Sequence, residues 1–459
     1  MVRHMARTRT DAQARRTPAT ARRTAAATAA LAVLAGAPLA GCGPDGGGTA
    51  HDGGTAGDGA RIQVAHSTTT RADEPLALRV TGLPAHTTVR LDARTRDRNG
   101  RPWTARQDAR TDAHGTVRLD GAAGGRLLSD MTPDDPHTLK RAKAGRTVSF
   151  HPLPPGRERS YEVRLGVTAR SGAHKGDRLA SRTIARQWLP RGATHRKLTV
   201  GHDGLAGDLY LPPRDGGKSG GGESGESSPS GGKSGSAAGK APVLVFGGSE
   251  GGNAGTYTAA LLAAHGHPAM SLCYFRCGPD SGRPDAIDGI DLDYFTRAAR
   301  LLAKQPGADP RKLAVMGNSR GSEIAQLLGQ RRPSAVRDVI AYAPSSKVIG
   351  PYPTGTHAWS DHGRPVPTGT IPLNRVRGEV FTVAGGNDRM WGSADSASSM
   401  ASRGAQRRVY PDAGHHVNWF PYGQPAQETG RDGNRVRTSV ADQRARADSW
   451  PRILKLLDR

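Results

Sequence analysis

Apolar and polar residues change rhythm twice along this 459-residue chain. Between residues 65 and 190 they alternate, as in Leu76-Ala77-Leu78-Arg79-Val80, Val89-Arg90-Leu91-Asp92-Ala93, Val117-Arg118-Leu119 and, most clearly, Tyr161–Val167. A period of two belongs to a strand with one buried and one wet face. Asn99-Gly100 adds a hairpin-type turn, and no helical period of useful length appears before residue 200. Residues 65–190 are therefore predicted to form a small antiparallel β-sandwich. Short strands follow near residues 196–200 and 207–211. Residues 215–240 are almost entirely Gly, Ser, Lys and Glu. Such a composition cannot bury a core and predicts a disordered surface loop, inserted within a domain rather than between two.

From Ala241 the rhythm changes again. Strands are predicted at Val243–Phe246, Ala269–Tyr274, Leu313–Met316, Val339–Tyr342, Val380–Ala384 and Arg408–Tyr410. Helices are predicted at Tyr257–His265, at Leu292–Lys304, after Met316, and at about Val440–Leu457 with Pro451 inside it. Alternating strands and helices are the signature of a mostly parallel sheet with flanking helices. Residues 191–459 thus read as a single α/β domain.

The first 41 residues have a different character. Seven arginines with a single acid, Asp11, precede an apolar stretch from Ala25 to Ala37 that is too short to span a bilayer. This is the layout of an export signal. It ends in Leu39-Ala40-Gly41-Cys42, which resembles the lipobox of bacterial lipoproteins and implies cleavage before Cys42 and a lipid on that cysteine. The Arg22-Arg23 pair is a poor match to twin-arginine export. Residues 42–64 then read as a flexible tether, and the expected location is the extracytoplasmic face of a bacterial membrane. Cys273 and Cys277 are the other two cysteines. An oxidising compartment allows them a small disulfide loop, which sequence alone leaves open. The net charge of +24 does not indicate nucleic-acid binding: acids are scattered among the arginines, and no zinc-finger spacing, basic helix or aromatic RNP-like stretch occurs.

The candidate chemistry lies in Leu313–Ile324. An apolar run enters Gly317-Asn318-Ser319-Arg320-Gly321, and Ile324, Leu327 and Leu328 follow at helical spacing. A G-x-S-x-G between a strand and a helix is a nucleophile elbow, and small flanking residues let the two elements pack closely. Ser319 is the predicted nucleophile. Asp388, just past the strand 380–384, is the predicted acid, with Asp395 a rival farther into the next helix. His415, directly after a loop glycine, is the predicted base ahead of His416. The chain order Ser319, Asp388, His415 is that of an α/β-hydrolase. The backbone N–H of Arg320 and one from Phe246–Gly252, at Gly248 or Ser249, are the expected oxyanion donors. No metal or other cofactor is predicted, because no His-Glu-x-x-His or ligand cluster is present.

With these pieces assembled, the chain resembles the family of acyl-CoA thioesterases and bile acid-CoA:amino acid N-acyltransferases from about Asp73 onward. The resemblance is carried by Asp73-Glu74-Pro75-Leu76 and Arg79–Pro84, by the Phe246–Gly252 loop and by Met316–Glu323. Ile371-Pro372-Leu373, Asn387–Trp391 and Ala413-Gly414-His415 extend it. It implies an immunoglobulin-like domain followed by an α/β-hydrolase domain, with Ser319, Asp388 and His415 in the roles above. The substrate it implies is a small acyl thioester. An exported chain would not meet CoA, so another ester or thioester is the expected substrate there. The resemblance also implies hydrolysis, since its amino-acid-transferring members use cysteine where this chain has serine. The alternatives are an extracytoplasmic ester hydrolase or acyltransferase using the same site, or a catalytically silent binding lipoprotein.

Overall fold

The computed structural model describes residues 59–65, 69–137, 140, 148–214, 239–418, 420–422, 426–427 and 434–459. The predicted export segment, Cys42, most of the predicted tether and most of the Gly/Ser-rich insertion lie outside the described residues.

The larger sheet has eight strands: β1 (Thr194–Leu198), β2 (Ala206–Leu211), β3 (Val243–Phe246), β4 (Ala269–Cys273), β5 (Ala314–Asn318), β6 (Asp338–Tyr342), β7 (Val380–Gly385) and β8 (Gln406–Tyr410). Their spatial order is β1-β2-β4-β3-β5-β6-β7-β8. β2 runs antiparallel to both β1 and β4, and every other pair is parallel. β1 and β2 precede the insertion in sequence yet complete the sheet that continues after it. Helices α1 (Thr256–Ala264), α2 (Leu292–Ala303), α3 (Arg320–Arg331), α4 (Ser393–Ala401) and α5 (Asn434–Leu457) accompany the strands.

Two apolar cores lie against this sheet. One joins Leu244, Leu272, Val315 and Val339 to Phe295, Leu302 and Ile324 of α2 and α3. The other joins Val243, Val245, Met316 and Val383 to α1 and to Trp450, Ile453 and Leu457 of α5. β3, β4, β5, β6 and β7 are buried at every residue. This is why they read as unbroken apolar runs rather than alternations. Pro451 lies within α5 but faces solvent.

The N-terminal region contains a three-stranded sheet (Arg61–Val64, Leu78–Thr81, Val117–Leu119) and a six-stranded one. The order of the latter is Thr69–Arg71, Arg178–Gln187, Ser160–Ala169, Thr88–Arg96, Pro102–Arg110 and Thr132–Pro133. Leu78, Val80, Val117 and Leu119 of the first meet Val89, Leu91, Val163, Leu165 and Ile184 of the second in one core. The expected all-β region is interrupted by a helix, Gly121–Ser129, whose Leu127 and Leu128 enter that core. The first five of its nine residues are glycine or alanine, which hid the helical period. The long strands Pro102–Arg110 and Arg178–Gln187 also went unpredicted, because polar residues fill most of their positions.

Candidate active site

The elbow is built by packing. β5 ends at Asn318 and α3 begins at Arg320, leaving Ser319 between them at φ 53°, ψ −120°. A non-glycine residue at positive φ costs about 1–3 kcal/mol and persists only where its surroundings fix it. The Ser319 N–H donates to the Tyr342 carbonyl on β6 at 3.0 Å. On either side, Gly317 and Gly321 have no room for a side chain. A Cβ at Gly317 would lie 2.1 Å from the Gly321 carbonyl oxygen, and one at Gly321 would lie 2.3 Å from that of Gly247. The glycines of the motif thus permit the close approach of strand, helix and the loop after β3. Ser319 is 4% exposed, at the N-terminus of α3. The first N–H groups of a helix have no intrahelical acceptor, and that of Arg320 is one of these.

The acid and the histidine come from the ends of β7 and β8. Their loops are joined by backbone hydrogen bonds, Asn387 N–H to the Ala413 carbonyl at 2.9 Å and Gly386 N–H to that of Tyr410 at 2.8 Å. Nδ1 of His415 lies 2.8 Å from Oδ2 of Asp388. The other carboxylate oxygen, Oδ1, accepts from the N–H of Met390 at 2.9 Å. Burial would raise the Asp388 pKa, but the hydrogen bond and charge of His415, with Ser393 and the Met390 N–H, hold it below its ordinary value. An ionised Asp388 makes Nδ1 the donor and leaves Nε2 as the free acceptor.

The Trp391 ring stands edge-on to His415, with centroids 5.6 Å apart, and its Nε1 donates to the Ala343 carbonyl at 3.0 Å. Trp391 therefore supports the imidazole, a role that its place three residues after Asp388 did not reveal. Asp395 sits in the first turn of α4. His416 is half-buried, its ring edge-on to that of His415 at 5.9 Å.

The loop after β3 reaches the elbow through Gly248. A Cβ there would fall 2.6 Å from that of Ser319. The Gly248 N–H donates to both oxygens of Glu250, at 3.0 and 2.9 Å. Tyr274 braces the loop from behind, its hydroxyl donating to the carbonyls of Gly247 at 3.0 Å and Gly248 at 3.1 Å. Ser249 is half-buried. Cys273 and Cys277 are joined in a disulfide, with Cα atoms 5.8 Å apart. Within its span the Phe275 carbonyl accepts the Gly252 N–H at 3.0 Å.

A buried ion pair below the elbow escaped sequence reading. Glu323 is fully buried, with Oε1 2.8 Å from Nε of Arg320. Its Oε2 accepts from Trp359 Nε1 at 2.8 Å and from the Ile349 N–H at 3.2 Å. Arg320 also donates to the carbonyls of Ile349 and Gly350, at 3.2 and 2.8 Å. Burial pushes the Glu323 pKa up to about 7 against the opposing pull of Arg320, Trp359 and the Ile349 N–H. The pair ties the segment around Ile349 to the first turn of α3. An acid directly before Ile324 and Ala325, on a helix buried along Arg320–Gln330, was the available signal.

The strand order and the elbow after β5 define the α/β-hydrolase class of fold. Residues 73–200 match the family described as the acyl-CoA thioester hydrolase/BAAT N-terminal region. The chain is 23% identical over 406 residues to acyl-coenzyme A amino acid N-acyltransferase 2 of Mus musculus, covering 77% of this chain and 88% of that one. To the peroxisomal succinyl-coenzyme A thioesterase of Mus musculus it is 24% identical over 433 residues, covering 83% and 92%. Acyl-coenzyme A thioesterase 6 of the same species gives 24% over 429 residues, with the same coverage. Among solved structures, MGS-M1, an α/β hydrolase enzyme from a Medee basin deep-sea metagenome library, is 18% identical. It covers 59% of this chain and all of its own, with a TM-score of 0.37.

Proposed function

We propose that this chain hydrolyses acyl thioesters or esters through an acyl-enzyme on Ser319. The observation that carries the reading is the 2.8 Å contact between His415 and Asp388, on loops from β7 and β8, in a sheet whose β5 ends in a strained serine. His415 Nε2 takes the Ser319 proton as Oγ attacks the acyl carbonyl, and Asp388 stabilises the resulting imidazolium. The N–H groups of Arg320 and Gly248 receive the oxyanion, each worth about 3–4 kcal/mol in comparable sites. The C–S or C–O bond then breaks as His415 protonates the leaving thiol or alcohol. Water, deprotonated by the same histidine, releases the acid. The relatives' names support acyl thioesters as the substrate class and keep acyl transfer to an amine as the alternative outcome of the second step.

Labelling by a fluorophosphonate probe, beside turnover of a p-nitrophenyl ester and an acyl-CoA, tests this reading. Ser319→Ala and His415→Ala are expected to lose labelling and to lower turnover by about 10⁵-fold or more. Labelling that survives Ser319→Ala removes the reading.

The export reading is part of the same proposal, supported by the basic and apolar segments before Cys42. Radiolabelled palmitate fed to an expressing bacterium should be incorporated into the wild type and not into Cys42→Ser. Equal incorporation into both excludes lipidation at Cys42.

A further inference from the structure

The hydrogen bond between Gly248 and Glu250 is at odds with the role given to Gly248. Its N–H should receive the acyl oxygen, yet it is shared between the two oxygens of a carboxylate. A carboxylate is a stronger acceptor than the neutral carbonyl of an arriving substrate. While the contact holds, half of the oxyanion hole is filled by an anion belonging to the chain itself. The contact is also close to the chemistry. The Cβ position of Gly248 that lies 2.6 Å from Ser319 Cβ lies 3.0 Å from Glu250 Oε2.

We propose that Glu250 is a gating residue of the hydrolase reaction, whose carboxylate occupies the Gly248 N–H at rest and must leave it before an acyl group can be polarised. The inference deepens the hydrolase reading and rests on it.

The local structure allows such a movement. Glu250 is solvent-exposed. Among the described residues its carboxylate makes hydrogen bonds only to Gly248. Gly251 and Gly252 follow it at φ +70° and +69°, so the backbone beside it carries no Cβ. The rest of the loop is anchored. Tyr274 holds the carbonyls of Gly247 and Gly248, the Phe275 carbonyl holds the Gly252 N–H, and the Cys273–Cys277 disulfide closes the turn that supplies it. A swing of the Glu250 side chain therefore frees the donor without moving the donor itself. This keeps the oxyanion hole preorganised in the open form.

Charged and titratable groups approach this corner from three sides. Tyr274, at the end of β4, is kept neutral by burial, to which the Glu250 charge adds. Arg276, in the disulfide turn, packs its side-chain carbons on Gly251. The Arg320–Glu323 pair lies beyond Tyr274 and acts on it through charge.

The test uses the full mature chain and the second-order rate constant for a neutral fluorophosphonate probe, across a pH series, for wild type, Glu250→Gln, Glu250→Ala and Ser319→Ala. Loss of a charged competitor from one N–H should speed labelling of both Glu250 variants by about tenfold at neutral pH. The ratio of variant to wild type should fall toward one in acid. A purely structural role for Glu250 would leave that ratio flat. Ser319-dependent labelling that is equal or slower in both variants, with unchanged melting temperatures, overturns the gate and leaves the hydrolase reading intact. So does a pH-independent ratio. Labelling that survives Ser319→Ala, or no labelling of any form, removes both.

Discussion

The two halves of this molecule bury their strands differently. Five neighbouring strands of the eight-stranded sheet are buried at every residue, covered on each face by an apolar core that includes helices. The N-terminal strands Thr88–Arg96, Pro102–Arg110 and Ser160–Ala169 keep one face in the core and line the other with Arg94, Arg106, Asp108 and Arg164. A sheet covered on both sides leaves its strand ends no freedom, and there a serine at positive φ and a close-packed glycine turn are held. A sheet open on one side offers a charged surface and an edge. At that edge an aromatic series runs Trp103, Phe150, Tyr161, Trp188 and then Phe420, five residues after His415. The open half thus touches the histidine loop through packing and supplies no candidate catalytic group.

Asp73 offers the most direct way to break this division of labour. It opens the segment matched to the thioesterase family, yet its side chain serves both halves. Its Oδ2 lies 2.6 Å from His265 Nε2, just after α1, and accepts from Trp450 Nε1 of α5 at 2.7 Å. Only 2% of it is exposed. Burial would raise its pKa, but His265, the charge of Arg71 and the Trp450 N–H outweigh that and hold it below its ordinary value. Removing one partner of such a buried cluster costs about 3–5 kcal/mol. Asp73→Ala should therefore lower the denaturant midpoint by that equivalent. A folded-state pKa below the unfolded one adds stability that is present above the unfolded value of about 3.9 and disappears as pH falls through the folded value. The wild type should lose this contribution on acidification, and Asp73→Ala should lack that part of the acid limb. A loss under 1 kcal/mol would mean that this cluster does not hold the halves together.

The same contrast explains what the sequence disclosed. β3, β5, β6 and β7 were legible because double-sided burial demands unbroken apolar runs, and the elbow because its glycines are dictated by clearances near 2 Å. Asp388 and His415 were legible from their places just past strand ends. Pro102–Arg110 and Arg178–Gln187 were not, although each pairs with the strand just before it, since polar side chains at most of their positions leave no apolar alternation. Arg186 is the extreme case. This arginine on a strand is fully buried because it donates to Thr70 Oγ1 and to the carbonyls of Ala72 and Glu74, at 2.6, 2.9 and 2.6 Å. Glu323 and Glu250 were hidden for the reverse reason. An acid in an apolar helix or a glycine loop shows its role only once the N–H groups facing it are known.

The smallest expected effect sharpens the comparison from the open side. Arg164 is exposed on its strand and is paired in register with Arg94 on one neighbour and Thr183 on the other. Like charges directly opposite in a sheet are mildly unfavourable, while a β-branched residue suits the position. Arg94 is partly compensated by Asp92, 2.9 Å away, which limits what its neighbour can cost. Arg164→Thr should therefore raise stability by about 0.5 kcal/mol or less, with probe labelling at Ser319 unchanged. The gain should shrink in high salt, because the repulsion it removes is screened between exposed groups. A loss above 1 kcal/mol would show that this face is not free and that the guanidinium stem packs on something the open-sheet description omits. The N-terminal half would then need two covered faces, like the half that carries the serine.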